Sequence, residues 1–304
     1  MINKNRIARF VTALIGPILN KSTRSVKFNN GLTVFLFHEI TDDPSEFLKS
    51  TGMWVSREVF RRQVNWIQKN FQVIPITDLL NQKPLPRNAA LITFDDSWAG
   101  MVKAIEDFLL PREVPVCLFL NFGTVATRFD VVAAEVFLNN PKTTSNFERQ
   151  HIFDLINGLT SQEQEEFLKF QGPIAEIEAI RRIGGFANVT ISNHLFHHFD
   201  AMKLTDEDFI SEFRQNDKWI QSFNNQSGKD FFAFPFGTPG LNFEDRHLDL
   251  LAREGVKFCF SGTSRRLKSF ATSEHLIPRI HFSPEDRSTG NMWWACYKNQ
   301  ILQR

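Results

Sequence analysis

The chain has 304 residues, enough for one large α/β domain or two ordinary ones, and well above the size at which a core needs staples. Apolar residues make up 42%, which excludes a disordered chain, and 35 basic against 34 acidic residues leave a formal net charge of +1, too weak a field to draw in a nucleic acid polymer. Cys117, Cys259 and Cys296 lie far apart with no CxxC, which excludes a disulfide framework and a thiolate zinc cluster.

At the N-terminus, Lys4, Arg6 and Arg9 precede an apolar run over 10–19 in the charge order of a signal peptide. Pro17 interrupts that run and no small-x-small cleavage site follows it. Ile7, Phe10, Val11, Leu14, Ile15, Ile18 and Leu19 repeat instead with helical spacing, so residues 1–30 read as an amphipathic helical segment. Two readings are open for it: packed on the domain, or lying through residues 4–19 on an anionic membrane surface. Both place the chain in the cytoplasm, the second at the inner face of the membrane. No stretch reaches the roughly 18–20 apolar residues of a membrane span.

From residue 31 the pattern alternates. A buried strand is expected over 32–38, then a helix capped by Ser56 with Val59, Phe60, Val64, Ile67 and Phe71 on one face. Strands follow over 72–76, 89–94 and 114–120, with helices over 77–81 and 98–110 between them. Residues 124–186 break this rhythm with helical patterns over 162–170 and 174–183, and read as a helical insertion. A strand over 187–192 leads to a long helix opened by Thr205 and ending near Phe223, and strands over 231–234, 256–260 and 276–282 complete the series. Strands alternating with helices predict a parallel sheet or (β/α) barrel with its functional groups at the carboxyl ends of the strands. The expected organisation is one elaborated domain over 31–285, flanked by segment 1–30 and by a C-terminal helical segment, 286–304, packed on the barrel. Trp293, Trp294 and Tyr297 in that last segment suit packing first, with sugar stacking or a membrane interface as alternatives.

Four strand ends carry chemistry-bearing groups. Leu91-Ile-Thr-Phe-Asp-Asp-Ser97 ends an apolar strand in two adjacent carboxylates, Asp95 and Asp96. Neighbouring aspartates repel and desolvation opposes their ionisation, so the pair suits a site that holds a cation or a proton; capping of the next helix by Asp96 is the bland alternative. Asn193-His-Leu-Phe-His-His198 follows another strand, with His194 and His198 four apart, a spacing that puts two imidazoles on one side of a helical turn, and with His197 directed elsewhere. With Asp96 they form a two-imidazole, one-carboxylate set suited to zinc or another divalent first-row metal. Phe231-Phe-Ala-Phe-Pro-Phe-Gly237 runs into a Pro/Gly turn whose backbone N–H groups could face a ligand. His38 stands at the end of the first strand in position for proton transfer, and Arg279 in the last strand is a candidate partner for Asp95.

The order FHEI, TFDD, NHLFHH, FAFPFG, IPRI resembles the polysaccharide deacetylase family, the NodB-homology carbohydrate esterases, in their exopolysaccharide and surface-glycan branch. The resemblance spans residues 31–282. It implies a distorted (β/α) barrel of about seven strands and removal of an N-acyl group, acetyl first, from an amino sugar. It implies Asp95 as catalytic base, Asp96, His194 and His198 as ligands of one divalent ion (zinc first, then iron, cobalt or nickel), and His38 as proton donor. Arg279 would orient Asp95. Pro235, Phe236 and Gly237, with Trp98 beside the dyad, are the candidate substrate contacts, Phe236 through its backbone N–H. The chain departs from the family pattern at Ser97, Leu195, Ala233 and Phe236, where glycine, serine or threonine, arginine and tyrosine are usual. The expected substrate is an acylated amino sugar, as an oligosaccharide or linked to a nucleotide or lipid carrier. A non-catalytic carbohydrate-binding homologue and a hydrolase of another C–N bond, such as a cyclic amide, are the rival readings.

Overall fold

The computed structural model describes residues 31–301 apart from 82–83, 139–148, 224–227, 268 and 272, so the expected segment 1–30 lies outside the described residues. Its strands are β1 (Leu32–Phe37), β2 (Glu39–Ile40), β3 (Trp54–Val55), β4 (Gln72–Val73), β5 (Ala89–Asp95), β6 (Val116–Leu120), β7 (Val189–Asn193), β8 (Gly228–Ala233), β9 (Phe258–Ser261) and β10 (Leu276–His281). Seven of them close a parallel barrel in the order β1-β10-β9-β8-β7-β6-β5, and β5 returns to β1 over six residue pairs from Leu32↔Ala89 to Phe37↔Phe94. β4 lies against the first two residues of β5, on the side that β6 occupies further along, from Thr93 to Asp95. The strand expected over 72–76 is this short because Ile74 still donates to Ala90 but Pro75 has no N–H to continue the ladder.

Alternation along each strand separates two apolar clusters. One fills the barrel, with Leu32 and Val34 of β1, Leu91 of β5, Phe119 of β6, Phe231 of β8, Phe258 and Phe260 of β9 and Ile277 of β10. Phe119 and Phe260, three strands apart, meet across it with ring centroids 5.2 Å apart. The other faces the helices: Phe35, Phe37, Ile92, Phe94, Leu118 and Leu120 pack on Phe60, Val64, Ile67 and Met101. Each inward row, continued toward the carboxyl end, turns polar: Val34 leads to Leu36 and His38, Leu91 to Thr93 and Asp95, Ile277 to Arg279 and His281. The same two-residue period that builds the core thus delivers the polar groups to one rim.

Between β6 and β7 the helices Phe122–Thr127, Val131–Phe137, Arg149–Asn157, Ser161–Gln171 and Ile177–Gly184 make the helical insertion. The helix expected over 98–110 is broken into Ala99–Ala104, a π turn at Ile105–Leu109 and a tight turn at Leu110–Arg112. The helix Thr289–Ile301 closes the chain with Met292, Ala295 and Cys296 buried, and the edge of Trp293 meets Trp66 at 5.0 Å and 82°. Trp293 is therefore a packing residue.

Candidate functional site

Asp95, the last residue of β5, is 3% exposed and faces inward. Arg279, 184 residues later on β10 and 1% exposed, donates to both of its oxygens, Nη1 to Oδ1 at 2.5 Å and Nη2 to Oδ2 at 2.6 Å. Burial alone would push the Asp95 carboxyl up, but Arg279 and His194 together hold it below the ordinary aspartate value. The arginine usual two residues before Pro235 in the resemblance is Ala233 here, and Arg279 brings a guanidinium from another strand. Ala233 serves through its backbone oxygen instead, which accepts from His194 Nδ1 at 2.7 Å.

Parallel pairing of Phe37 with Phe94 brings the following residue, His38, to the strand end beside Asp95. Its ring meets His281 edge to face, with centroids 5.3 Å apart. Burial and His281 hold His38 well below the usual histidine range, and among the groups around it Asp95 favours the imidazolium while His281, Arg279 and His194 oppose it. Among the described residues, no group hydrogen-bonds the buried Nδ1 of His38.

Asp96 leaves the strand in the left-handed region, at φ 66°, which turns its side chain away from Asp95 and toward the loop after β7. Its Oδ1 lies 3.2 Å from His198 Nε2 and 3.6 Å from His194 Nε2, and the three ligand atoms fit within 4.8 Å of one another. That Oδ1 is buried without a hydrogen-bond partner, while Oδ2 accepts from the Trp98 indole at 3.0 Å. Both histidines turn Nε2 inward because their Nδ1 atoms are occupied, in His194 by the Ala233 carbonyl and in His198 by Asp130 Oδ2 at 2.9 Å. This is the outer hydrogen bonding that orients metal-binding imidazoles.

Charge supports the same reading. Burial lowers His194 to about 4. Burial also opposes the charge on His198, yet Asp96 and Asp130 lift it to about 9. Burial, with Asp130 and Asp95, raises Asp96 to about 6 against the pull of His198. A buried centre with surplus negative charge and a bare carboxylate oxygen suits a cation, which would take the place of the His198 proton. Asp96, His194 and His198 are the residues that could hold it.

Two expectations are corrected. The pair His194 and His198 sits in an irregular loop rather than on a helical turn: Leu195 and His198 are left-handed, at φ 62° each, and the Asn121 side chain donates to the backbone oxygens of His194 and Leu195. The four-residue spacing works because two left-handed residues fold the loop back on itself. Trp98 is 1% exposed, packs against Phe47 and spends its N–H on Asp96, so it supports a candidate ligand and is too buried to contact a substrate. His197 points elsewhere, as expected, to Glu212 at 3.0 Å.

The turn at Pro235, Phe236 and Gly237 is held against the barrel rim. Gly237, at φ 67°, passes so close to Gly262 that a Cβ would come within 2.4 Å of its nitrogen, and Gly262 donates to the Gly237 carbonyl at 2.7 Å. Phe236 is itself left-handed, at φ 61°, and its ring lies flat against His198, 5.3 Å between centroids and 11° between planes.

Three contributors are visible only in the structure. Asp130 accepts from Val132 and Ala133 through Oδ1, capping the helix Val131–Phe137, while its Oδ2 holds His198. Glu39 is buried and accepts from the N–H groups of Gly100 and Met101, anchoring the helix that follows the dyad. Gly100 is required there, since a Cβ would lie 2.4 Å from the Glu39 carboxylate. His281 stands two residues beyond Arg279 on the same inward row. An aspartate ahead of an apolar helical run signals a cap, but nothing local couples it to a histidine 68 residues away.

Comparison with known proteins places this arrangement. A sequence profile described as "Polysaccharide deacetylase" matches residues 82–259. No curated protein sequence matches the chain. Among solved structures, IcaB from Ammonifex degensii is similar with a TM-score of 0.60 at 15% identity, over 88% of this chain and 97% of its own. The Streptococcus pyogenes deacetylase PplD in complex with acetate gives 0.59 at 13% identity, over 84% and 93%. The de-N-acetylase from Aggregatibacter actinomycetemcomitans gives 0.58 at 15% identity, over 87% and 99%. At these identities the likeness to solved structures is one of fold. The profile match covers more than half of the sequence, and with the barrel and the clustered Asp96, His194 and His198 it leads to one conclusion: this chain belongs to the polysaccharide deacetylase family, the NodB-type carbohydrate N-deacetylases.

Proposed function

We propose that the protein hydrolyses the N-acetyl group of an amino sugar belonging to a bacterial surface polysaccharide or its precursor, with one divalent ion on Asp96, His194 and His198. The observation that carries this reading is the bare, buried Oδ1 of Asp96 facing two imidazole Nε2 atoms, with a second carboxylate, Asp95 Oδ2, 3.7 Å from His194 Nε2. Two neutral imidazoles and one carboxylate suit zinc first, and iron, cobalt or nickel after it. Such an ion, when bound, polarises a carbonyl oxygen and lowers the pKa of water. The acetate held by the similar PplD structure and the activity for which the similar de-N-acetylase is named favour acetyl as the group removed.

Asp95 is the base in this reading. Arg279 keeps it ionised and locked in one rotamer, so its carboxylate accepts the proton of the attacking water without first losing its own. His38 gives a proton to the leaving amine. Burial and His281 hold His38 well below the usual histidine range, and Asp95 is the neighbour whose charge favours the imidazolium that the step requires. The backbone N–H of Phe236 faces the oxyanion, a contribution of about 3 kcal/mol for donors of this kind. A lipid-carrier-linked or nucleotide-linked sugar at the inner membrane face is the substrate form that suits the basic amphipathic pattern of residues 4–19.

The test is acetate release from acetylated chito-oligosaccharides and from acetylated nucleotide sugars, read together with bound metal. Asp95→Asn is expected to keep the metal and lose turnover, and Asp96→Ala to lose both. Full activity in both variants overturns the mechanism. Binding without acetate release makes the protein a non-catalytic carbohydrate-binding homologue, and turnover of a cyclic amide alone moves it to another C–N hydrolase.

A further inference from the structure

The loop that carries His194 and His198 lies beyond the end of β7 and turns through two left-handed residues, Leu195 and His198, a conformation that strains side chains of this size. Something around it must over-determine its shape. Three asparagines that the proposed reaction does not use converge there from three elements: Asn121 directly after β6, Asn193 at the end of β7, and Asn216 on the helix Asp206–Phe223. All three are buried. A buried amide destabilises unless its donors and acceptor are bonded, and here the partners are backbone groups or another member of the set. Asn121 Nδ2 donates to the carbonyls of His194 and Leu195. Asn193 Oδ1 accepts from the Leu195 N–H at 2.9 Å and from Asn216 Nδ2 at 3.0 Å, while its Nδ2 donates to the Phe213 carbonyl at 2.9 Å. Asn216 returns to the end of β6, where its Oδ1 accepts from the Phe122 N–H at 2.9 Å and its Nδ2 donates to the Leu120 carbonyl at 2.7 Å. The left-handed Leu195 thus has its N–H held by one asparagine and its carbonyl by another.

Ser97 ties this set to the aspartate dyad. Its Oγ accepts from the Asn121 N–H at 3.2 Å and donates to the Asn121 carbonyl at 3.3 Å. Register makes the contact: Asp95 pairs with Phe119 and Leu120 with Asn193, so the residues just past the strand ends, Ser97, Asn121 and His194, come side by side. Ser97 and Leu195 are two of the positions where the chain departs from the family pattern. Leu195 brings no hydroxyl to brace the loop and buries its side chain in the apolar cluster that faces the helices. We propose that Asn121, Asn193 and Asn216, anchored through Ser97, are positioning residues that hold Leu195 left-handed and so bring His194 Nε2 to Asp96. Neutral amides suit this task, because a carboxylate in their place would add charge of the sign already in surplus there. The inference rests on the reading of Asp96, His194 and His198 as metal ligands.

Cobalt(II) is the probe, because its visible spectrum reports how the ligands are arranged and its affinity is read by chelator competition, neither of which needs turnover. Asn121→Asp keeps the shape of the side chain and removes both donors. The expected result is a loss of about tenfold in cobalt affinity, with an altered spectrum. Ser97→Ala is expected to cost less, and to add little on top of Asn121→Asp, since it acts through the same residue. Leu195→Gly, which takes the left-handed turn without strain, is expected to return part of the affinity lost in Asn121→Asp. Phe231→Ala, in the barrel interior, controls for lost stability and should keep the wild-type spectrum and affinity. If Asn121→Asp does not fold, Asn121→Ser, which retains one donor, is read in its place with the same expected direction. Wild-type affinity and spectrum in the Asn121 variant, additive losses with Ser97→Ala, or an equal loss in Phe231→Ala would overturn the network. Wild-type protein that takes up neither cobalt nor zinc overturns the metal reading itself, a result distinct from all of these.

Discussion

The two ends of the barrel are built by the same seven strands and obey different rules. In the interior, Leu91, Phe119, Phe231, Phe260 and Ile277 sit in regular backbone and contact one another through apolar surface. At the carboxyl rim, two or four residues further along the same inward rows, the side chains are Asp95, Arg279, His38 and His281. Among the described residues, seven non-glycine residues have positive φ, and four of them (Asp96, Leu195, His198 and Phe236) gather at this rim. The interior stabilises by burial, about 25 cal/mol for each Å² of apolar surface. The rim costs stability through strain, desolvated charge and an unpartnered oxygen, and it persists because the interior below it over-determines its shape.

That contrast can be broken most sharply at the rim. His194→Ala is expected to abolish stoichiometric metal binding and with it acetate release, as read by elemental analysis and assay, while the fold survives because its ring lies outside the barrel's apolar packing. The reverse experiment targets the interior. Phe231→Ala, which removes a ring stacked 6.1 Å from Phe258, is expected to cost about 3–5 kcal/mol of unfolding free energy in denaturant titration, with metal content and rate on the surviving folded fraction little altered. If that variant loses metal before it loses stability, the two ends are not separable.

A finer cut lies in Asp130, which belongs to the insertion yet serves the rim. Asp130→Asn keeps a capping oxygen but removes the charge behind His198, and a fall of about 10–100-fold in metal affinity is expected by competition with a chelator. Unchanged affinity would reduce Asp130 to a helix cap. A cut of similar size concerns Glu39, whose carboxyl burial raises to about 7 despite its hydrogen bonds from Met101 and Gly100. A carboxyl that holds its proton more tightly folded than unfolded favours the fold at low pH and loses that contribution as pH rises from about 4.5 through 7. Relative to Glu39→Gln, wild-type protein should therefore lose up to about 3 kcal/mol across that window, as read by melts at matched pH values. A flat difference would show that the two N–H donors fully compensate for desolvation.

How much could be read in advance varies by residue. The strands over 89–94 and 276–282, the dyad Asp95-Asp96 and the pair His194 and His198 are local patterns, written in a two-residue period or a short spacing, and the structure places them together. Trp98 was misread because an aromatic beside a dyad looks the same whether it faces solvent or the core. The helical spacing of the two histidines misled for a related reason: backbone sign at Leu195 and His198 is decided by the contacts of the loop, and neither residue type announces a left-handed turn.

Periodicity and charge in the chain alone determined that it alternates strands with helices, that it closes on an apolar core, and that carboxylates and imidazoles end its strands. Only the closed barrel decided which of them meet. Arg279 reaches Asp95 across 184 residues, Asp130 reaches His198 across 68, and His281 reaches His38 because β10 happens to pair with β1. Local sequence encodes which face of a strand is buried; partners at that distance are set by the register in which strands close the barrel, and no single strand carries that register by itself.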